Sequence, residues 1–245
     1  NWHRVLTAIP FFEKFKWASI LPEYDPFKYN SFPKSAGHQS WALAGAIDQQ
    51  LIALQKSGAL RRMPPILAFQ SLADSTVLTE SLVSRLFDRL TVPNSELVIF
   101  DINRLGPIQE LVTSRYDGLL ERIVEDPKQG YSLTVITNEA PDSSEVIARR
   151  LLPGGGRLDD QPLDTPWPNG VYSMTHVAIP FSPEDEIYGD RYRRAPNLGA
   201  SSPRGENGVM AIPLMMLMRL RHNPFFPYVE QRIGEFLEPL RDGAQ

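Results

Sequence analysis

The sequence predicts an α/β fold, a mostly parallel sheet flanked by helices. Two short apolar runs, at 66–69 and 97–100, lack the polar alternation of a half-wet strand and read as buried strands, and 131–137 reads as a third strand. Stretches with apolar residues at helical spacing lie between them, and turn residues close each run. Strand, helix, strand, helix, strand at these lengths argues for a parallel sheet with helices packed on it.

Taken in order, residues 1–36 are rich in aromatics and proline, with Phe11, Phe12, Trp17, Tyr24 and Phe27 among Pro10, Pro22, Pro26 and Pro33. Such a segment can open with a short helix but cannot stay helical. It reads as a lid-like or connecting piece, an amphipathic patch, or core left uncovered by truncation. From 39 to 56, Trp41, Leu43, Ala44, Ile47, Leu51 and Leu54 recur at helical spacing until Gly58. After the 66–69 strand and Asp74, the stripe Val77, Leu78, Leu82, Leu86, Phe87 and Leu90 predicts a helix ending near Pro93. The 97–100 strand is closed by Asp101 and Asn103. A helix over about 107–124 follows, burying Ile108, Leu111, Val112, Leu119, Leu120 and Ile123, and then the 131–137 strand. Residues 144–152 predict a short helix, and Gly154, Gly155 and Gly156 a loop. Between 162 and 213 prolines are frequent, and 171–174 and 177–179 are strand-like pieces flanking His176. A helix over 228–240 closes the chain. One domain is expected over 1–245, with its α/β core at 37–152 and a histidine loop and C-terminal helix at 153–245.

Composition narrows the functional classes. With 25 basic against 29 acidic residues and a net charge of -4, no electrostatic footprint for nucleic acid exists. The pairs Arg61-Arg62, Arg149-Arg150 and Arg193-Arg194 are scattered and read as solvated. The absence of cysteine removes disulfides, thiolate metal sites and a cysteine nucleophile from this chain, without settling its compartment. No apolar stretch is long enough to span a bilayer; the longest, 211–218, is broken by Pro213. The chain starts at Asn1 rather than at a methionine, so an upstream portion is expected to be missing.

Two residues carry chemical interest. Asp74 ends an apolar strand just before a helix, where ligands gather in open α/β sheets, although an aspartate there is also an ordinary helix cap. His176 is one of four histidines and lies between apolar flanks in Ser173-Met174-Thr175-His176-Val177-Ala178-Ile179-Pro180-Phe181. A histidine base requires a carboxylate to fix its tautomer and stabilise the imidazolium, and Asp74 precedes His176 in the order of a Ser, Asp, His arrangement.

At these segments the chain resembles the C-terminal half of the α/β-hydrolase superfamily of serine hydrolases. Ser71-Leu72-Ala73-Asp74 is similar to the family's Gly-x-x-Asp acid segment, with Ser71 in place of the glycine. The stretch from Thr175 to Phe181, continuing to Tyr188-Gly189, looks like its histidine loop. The resemblance spans roughly residues 17–240, with moderately specific motifs. It implies a partial α/β-hydrolase-like fold, Asp74 and His176 as triad members, and an ester or lipid-like substrate.

Two departures limit it. Asp74 and His176 are about 100 positions apart, with an additional helix and strand between them. The second departure is the nucleophile: no Gly-x-Ser-x-Gly pentapeptide occurs, and Ser40 and Ser201 are only distant imitations. The implied enzyme is therefore the acid and histidine portion of a hydrolase whose serine lies upstream. The competing class is a non-catalytic ligand- or partner-binding module on the same fold. A half-domain also implies an uncovered sheet edge, hence self-association or pairing with the missing half. Nothing in the pattern calls for a cofactor. His176 with Glu184, Asp185 or Asp190 matches no compact metal motif, and these acids read as turn caps. The glycine triplet lacks the lysine of a phosphate loop, and Met210, Met215, Met216 and Met218 read as core or channel lining.

Overall fold

The computed structural model describes residues 16–20, 29, 31–74, 76–105, 115–125, 130–169, 171–174, 176–189, 200–201, 218–220 and 222–242. The chain divides into two compact units, 1–58 and 59–245.

In the first unit, strands β1 (Trp17–Ser19) and β2 (Phe32–Pro33) pair antiparallel, and helix α1 (Lys34–Lys56) follows directly. Gly58 takes φ 70° as the helix ends, a left-handed conformation that costs glycine little. Leu51 is buried, whereas Trp41, Leu43 and Ile47 are exposed. Helical spacing thus set the helix without setting which positions are covered. The short helix considered at the N-terminus lies outside the described residues.

The second unit holds a five-stranded sheet in the order β3 (Leu67–Ser71), β4 (Glu96–Phe100), β5 (Ser132–Asn138), β6 (Val146–Leu151), β7 (Gln161–Leu163). The first three are parallel, while β6 and β7 join antiparallel. The sheet is therefore mixed, and the helix expected over 144–152 is strand β6. A hairpin explains the difference. Gly154 and Gly155 adopt φ of 80° and 89°, Leu152 N–H donates to Gly156 O at 2.6 Å, and Leu151 bridges Arg157. The glycine triplet is a turn after a strand.

Alternation along β4 explains why 97–100 carries no polar face. Leu97 and Ile99 join a cluster with Leu133, Val135, Val83 of helix α2 (Thr79–Arg85) and Ile123 of helix α3 (Arg115–Val124). Val98 and Phe100 join Ile136, Phe225, Tyr228 and Val229, the last two on helix α4 (Phe226–Asp242). Both faces are covered, so both parities must be apolar. The helix expected up to Pro93 stops at Arg85 and tightens into a 3₁₀ turn over Phe87–Arg89. The start of the helix expected from 107 lies outside the described residues.

One polar set interrupts the α4 face. Glu96 heads β4 with the same parity as Val98, and its Oε1 accepts from Thr134 Oγ1 at 2.7 Å. Its Oε2 accepts from Arg150 Nη2 at 3.1 Å and Arg232 Nη2 at 2.5 Å. Arg232 also pairs with Glu235 on α4. Burial first, then the nearby Glu96 charge, pushes the Tyr228 phenol up to about 12. Arg149 pairs with Asp160. The arginines at 149 and 150, read from sequence as solvated, are thus ion-paired on opposite faces of β6.

A separate small sheet is formed by β8 (Val171–Met174), parallel to β10 (Met218–Leu220), which pairs antiparallel with β9 (Ala200–Ser201). Residues 176–180, after β8, form turns rather than the second strand piece expected there. Among the described residues no helix is long and apolar enough to cross a membrane.

Candidate functional site

The end of β3 is where Asp74 is made. Leu72 N–H continues the sheet by donating to Phe100 O at 2.8 Å, and Asp74 N–H then turns back to Ser71 O at 3.1 Å. Leu72 and Ala73 are buried, so the turn is fixed by packing on its inner side. The Asp74 carboxylate accepts backbone N–H groups from Thr76 at 2.7 Å and Val77 at 3.2 Å, both at Oδ1. This is a side-chain-closed turn that precedes α2; the helix itself begins at Thr79 with no side-chain cap from Leu78. The cap considered from sequence therefore closes a loop and not a helix.

Gln70 supports the acid from behind. Its Nε2 donates to Val77 O at 2.8 Å and lies 3.4 Å from Asp74 Oδ2. No signal in the sequence beyond a polar residue in an apolar strand points to it.

His176 arrives from a different part of the chain. Strand β8 is held at the carboxyl ends of β3 and β4: Ser71 Oγ donates to Met174 O at 3.0 Å, and Asn103 donates through its backbone N–H to Tyr172 O at 2.8 Å and through Nδ2 to Val171 O at 2.9 Å. The chain leaving β8 is thereby delivered next to the end of β3. His176 Nδ1 lies 3.3 Å from Asp74 Oδ1; the carboxylate is buried and the imidazole side chain is 44% exposed. The two residues singled out in the sequence are brought together across the long insertion, which is spent on β4 to β7.

Burial alone would raise the Asp74 pKa, but the hydrogen bond from His176, the N–H groups of Thr76 and Val77 and the histidine's charge outweigh it and hold the carboxyl below its ordinary value. Asp74 is therefore ionised wherever the fold is intact at neutral pH. Its Oδ1 faces Nδ1, so Nε2 is the ring nitrogen of His176 turned away from this contact. A buried carboxylate behind a half-exposed imidazole can orient the ring, keep its proton on Nδ1 and stabilise the imidazolium once it forms.

The loop after His176 is tightly wound. Asp185 Oδ1 accepts from Ile187 and Tyr188 N–H, each at 2.9 Å, so this acid caps a turn as its sequence neighbourhood suggested. The Phe181 and Tyr188 rings lie 4.6 Å apart. A Cβ at Gly189 would fall 2.3 Å from Pro183 O, so only glycine lets the turn close this far. Asp190 lies outside the described residues. Among the described residues no group of three His, Asp or Glu side chains could hold a metal ion.

Neither serine imitation has the geometry of an elbow. Ser40 is an exposed residue inside α1, and Ser201 lies on β9 opposite Arg219. Of the methionines, Met218 belongs to β10, whereas Met210, Met215 and Met216 lie outside the described residues. Ser71, beside the acid, is buried and donates to Met174 O.

A second polar cluster, unforeseen in the sequence, sits at the ends of β4 and β5. Arg104 grips Asp101 through Nε at 2.8 Å and Nη2 at 2.9 Å, and Thr137 donates to the same carboxylate at 2.8 Å. A cavity of about 590 Å³ opens over it, lined also by Asn138 and Arg149, and includes neither Asp74 nor His176. No family model, curated protein or solved structure matches the chain.

Proposed function

We propose that this chain is the acid and histidine portion of a serine hydrolase that cleaves a carboxylic ester or related acyl bond. The observation that carries the reading is the contact between buried Asp74 and half-exposed His176, at the carboxyl end of a parallel strand. In the complete enzyme the serine Oγ attacks the acyl carbon while Nε2 of His176 takes its proton. The same nitrogen returns that proton to the leaving oxygen as the tetrahedral intermediate collapses. Water then repeats the sequence on the acyl-enzyme, and Asp74 stays ionised throughout, holding Nδ1–H. The serine comes from a segment upstream of Asn1, which pairs with this chain to complete the site. The substrate is a small ester or lipid-like molecule.

The absence of a Gly-x-Ser-x-Gly elbow favours a second reading, an α/β-hydrolase-like module that binds a ligand or partner without catalysis. A fluorophosphonate probe separates the two. The chain extended upstream is expected to be labelled, the isolated chain not, and His176→Ala is expected to abolish the labelling. No labelling of either form overturns the hydrolase in favour of the binding module. Labelling of the isolated chain overturns the upstream serine.

A further inference from the structure

The loop that carries His176 has no helix or strand of its own over 176–189; turns within it satisfy the carbonyls of Ala178, Ser182 and Asp185, and others find partners outside it. Three of those partners come from two adjacent residues at the entry to α4. Asn223 Nδ2 donates to Ile179 O at 3.2 Å, Asn223 N–H donates to Phe181 O at 2.7 Å, and His222 Nδ1 lies 3.1 Å from Tyr188 O. A carbonyl only accepts, which fixes the proton of His222 on Nδ1. His222 and Asn223 are buried, at 3% and 0% exposure, so these bonds do not compete with bulk water.

Asn223 also works in the other direction. Its Oδ1 accepts from Phe225 N–H at 2.9 Å and its C=O accepts from Phe226 N–H at 3.1 Å, tying it to the head of α4. Phe225, Tyr228 and Val229 seat that helix in the core beside β4 and β5. A continuous path of contacts therefore runs from the sheet through α4 to the loop, starting three residues beyond His176.

We propose that His222 and Asn223 are positioning residues that clamp the 176–189 loop and so hold the His176 imidazole against Asp74. The kinetic consequence rests on the hydrolase reading; the geometric one does not. The hydrogen bonds that join both residues to the loop are made with its backbone carbonyls, so they act through the loop backbone.

The test is NMR of the ring nitrogens in histidine-labelled chain, with Asp74→Asn marking the position of a His176 ring that has lost its carboxylate. Asn223→Ala and His222→Gln are expected to move the His176 signal toward that marker. Glutamine offers its amide where Nε2 stood, and asparagine where Nδ1 stood. His222→Asn is thus expected to restore the bond to Tyr188 O and the wild-type His176 signal. A wild-type signal in His222→Gln overturns the proposal, as does a His222→Asn protein indistinguishable from His222→Gln. Should Asn223→Ala fail to fold, the two His222 variants decide alone. In the serine-bearing form, His222→Gln is expected to lower kcat on the order of 10²-fold with KM little changed. A wild-type enzyme without turnover would sink the hydrolase reading and leave the NMR result standing.

Discussion

Asp74→Asn is expected to lower kcat by about 10⁴-fold in the complete hydrolase, the scale seen when the orienting acid of a triad becomes an amide. The geometry explains why an amide cannot substitute. Oδ1 must keep accepting from Thr76 and Val77 N–H, which turns the amide NH₂ toward the Gln70 amide, another donor. If the amide flips instead, its NH₂ faces His176 Nδ1 and forces the proton onto the nitrogen that must act as base. In both orientations the charge that stabilises the imidazolium is gone. Steady-state hydrolysis of a short-chain aryl ester measures the loss, and activity within tenfold of wild type would refute the role.

The same substitution has a pH signature in stability. The folded Asp74 carboxyl titrates below its unfolded value, so its contribution is fully present above the ordinary carboxylate range. It is lost as pH falls through the folded pKa. Urea midpoints of wild type and Asp74→Asn should therefore differ at neutral pH and converge in strong acid.

The largest effect on stability is expected at the opposite end of the sheet, where Glu96→Ala should cost about 3–5 kcal/mol. One buried oxygen of Glu96 serves Arg150 and Arg232, and the other takes the Thr134 hydroxyl. Removing the carboxylate leaves Arg232 inside the packing of α4 on the sheet, paired among the described residues only with the half-exposed Glu235. Urea unfolding of the chain reads the cost directly. A loss below about 1 kcal/mol would mean that both guanidinium groups reach water once Glu96 is gone.

Strand β4 was readable because both of its faces are buried, which writes the unbroken apolar run 97–100 into it. Strand β6 was not. Its arginines at 149 and 150 and its short length suit a helix turn as well as a strand, and only the hairpin through Gly154 and Gly155 and the pairing with β5 decide between them. The α1 stripe shows the converse. Its spacing specified a helix, yet Trp41, Leu43 and Ile47 are exposed, because period reports conformation and not coverage.

At the site, the types and order of Asp74 and His176 were present in the sequence, since a carboxylate and an imidazole are chemically distinct wherever they lie. Their contact was not, because it depends on β8 being held across the ends of β3 and β4 by Ser71 and Asn103. Gln70, His222 and Asn223 were silent for a related reason: they bond mainly to backbone carbonyls, which every residue possesses. The sequence by itself determined which groups could do chemistry and which segments form the buried strands, because side-chain chemistry and hydrophobic runs are local. The tertiary structure alone decided that Asp74 lies 3.3 Å from His176 and that Glu96 is buried among arginines, because those depend on which distant backbones come to lie side by side.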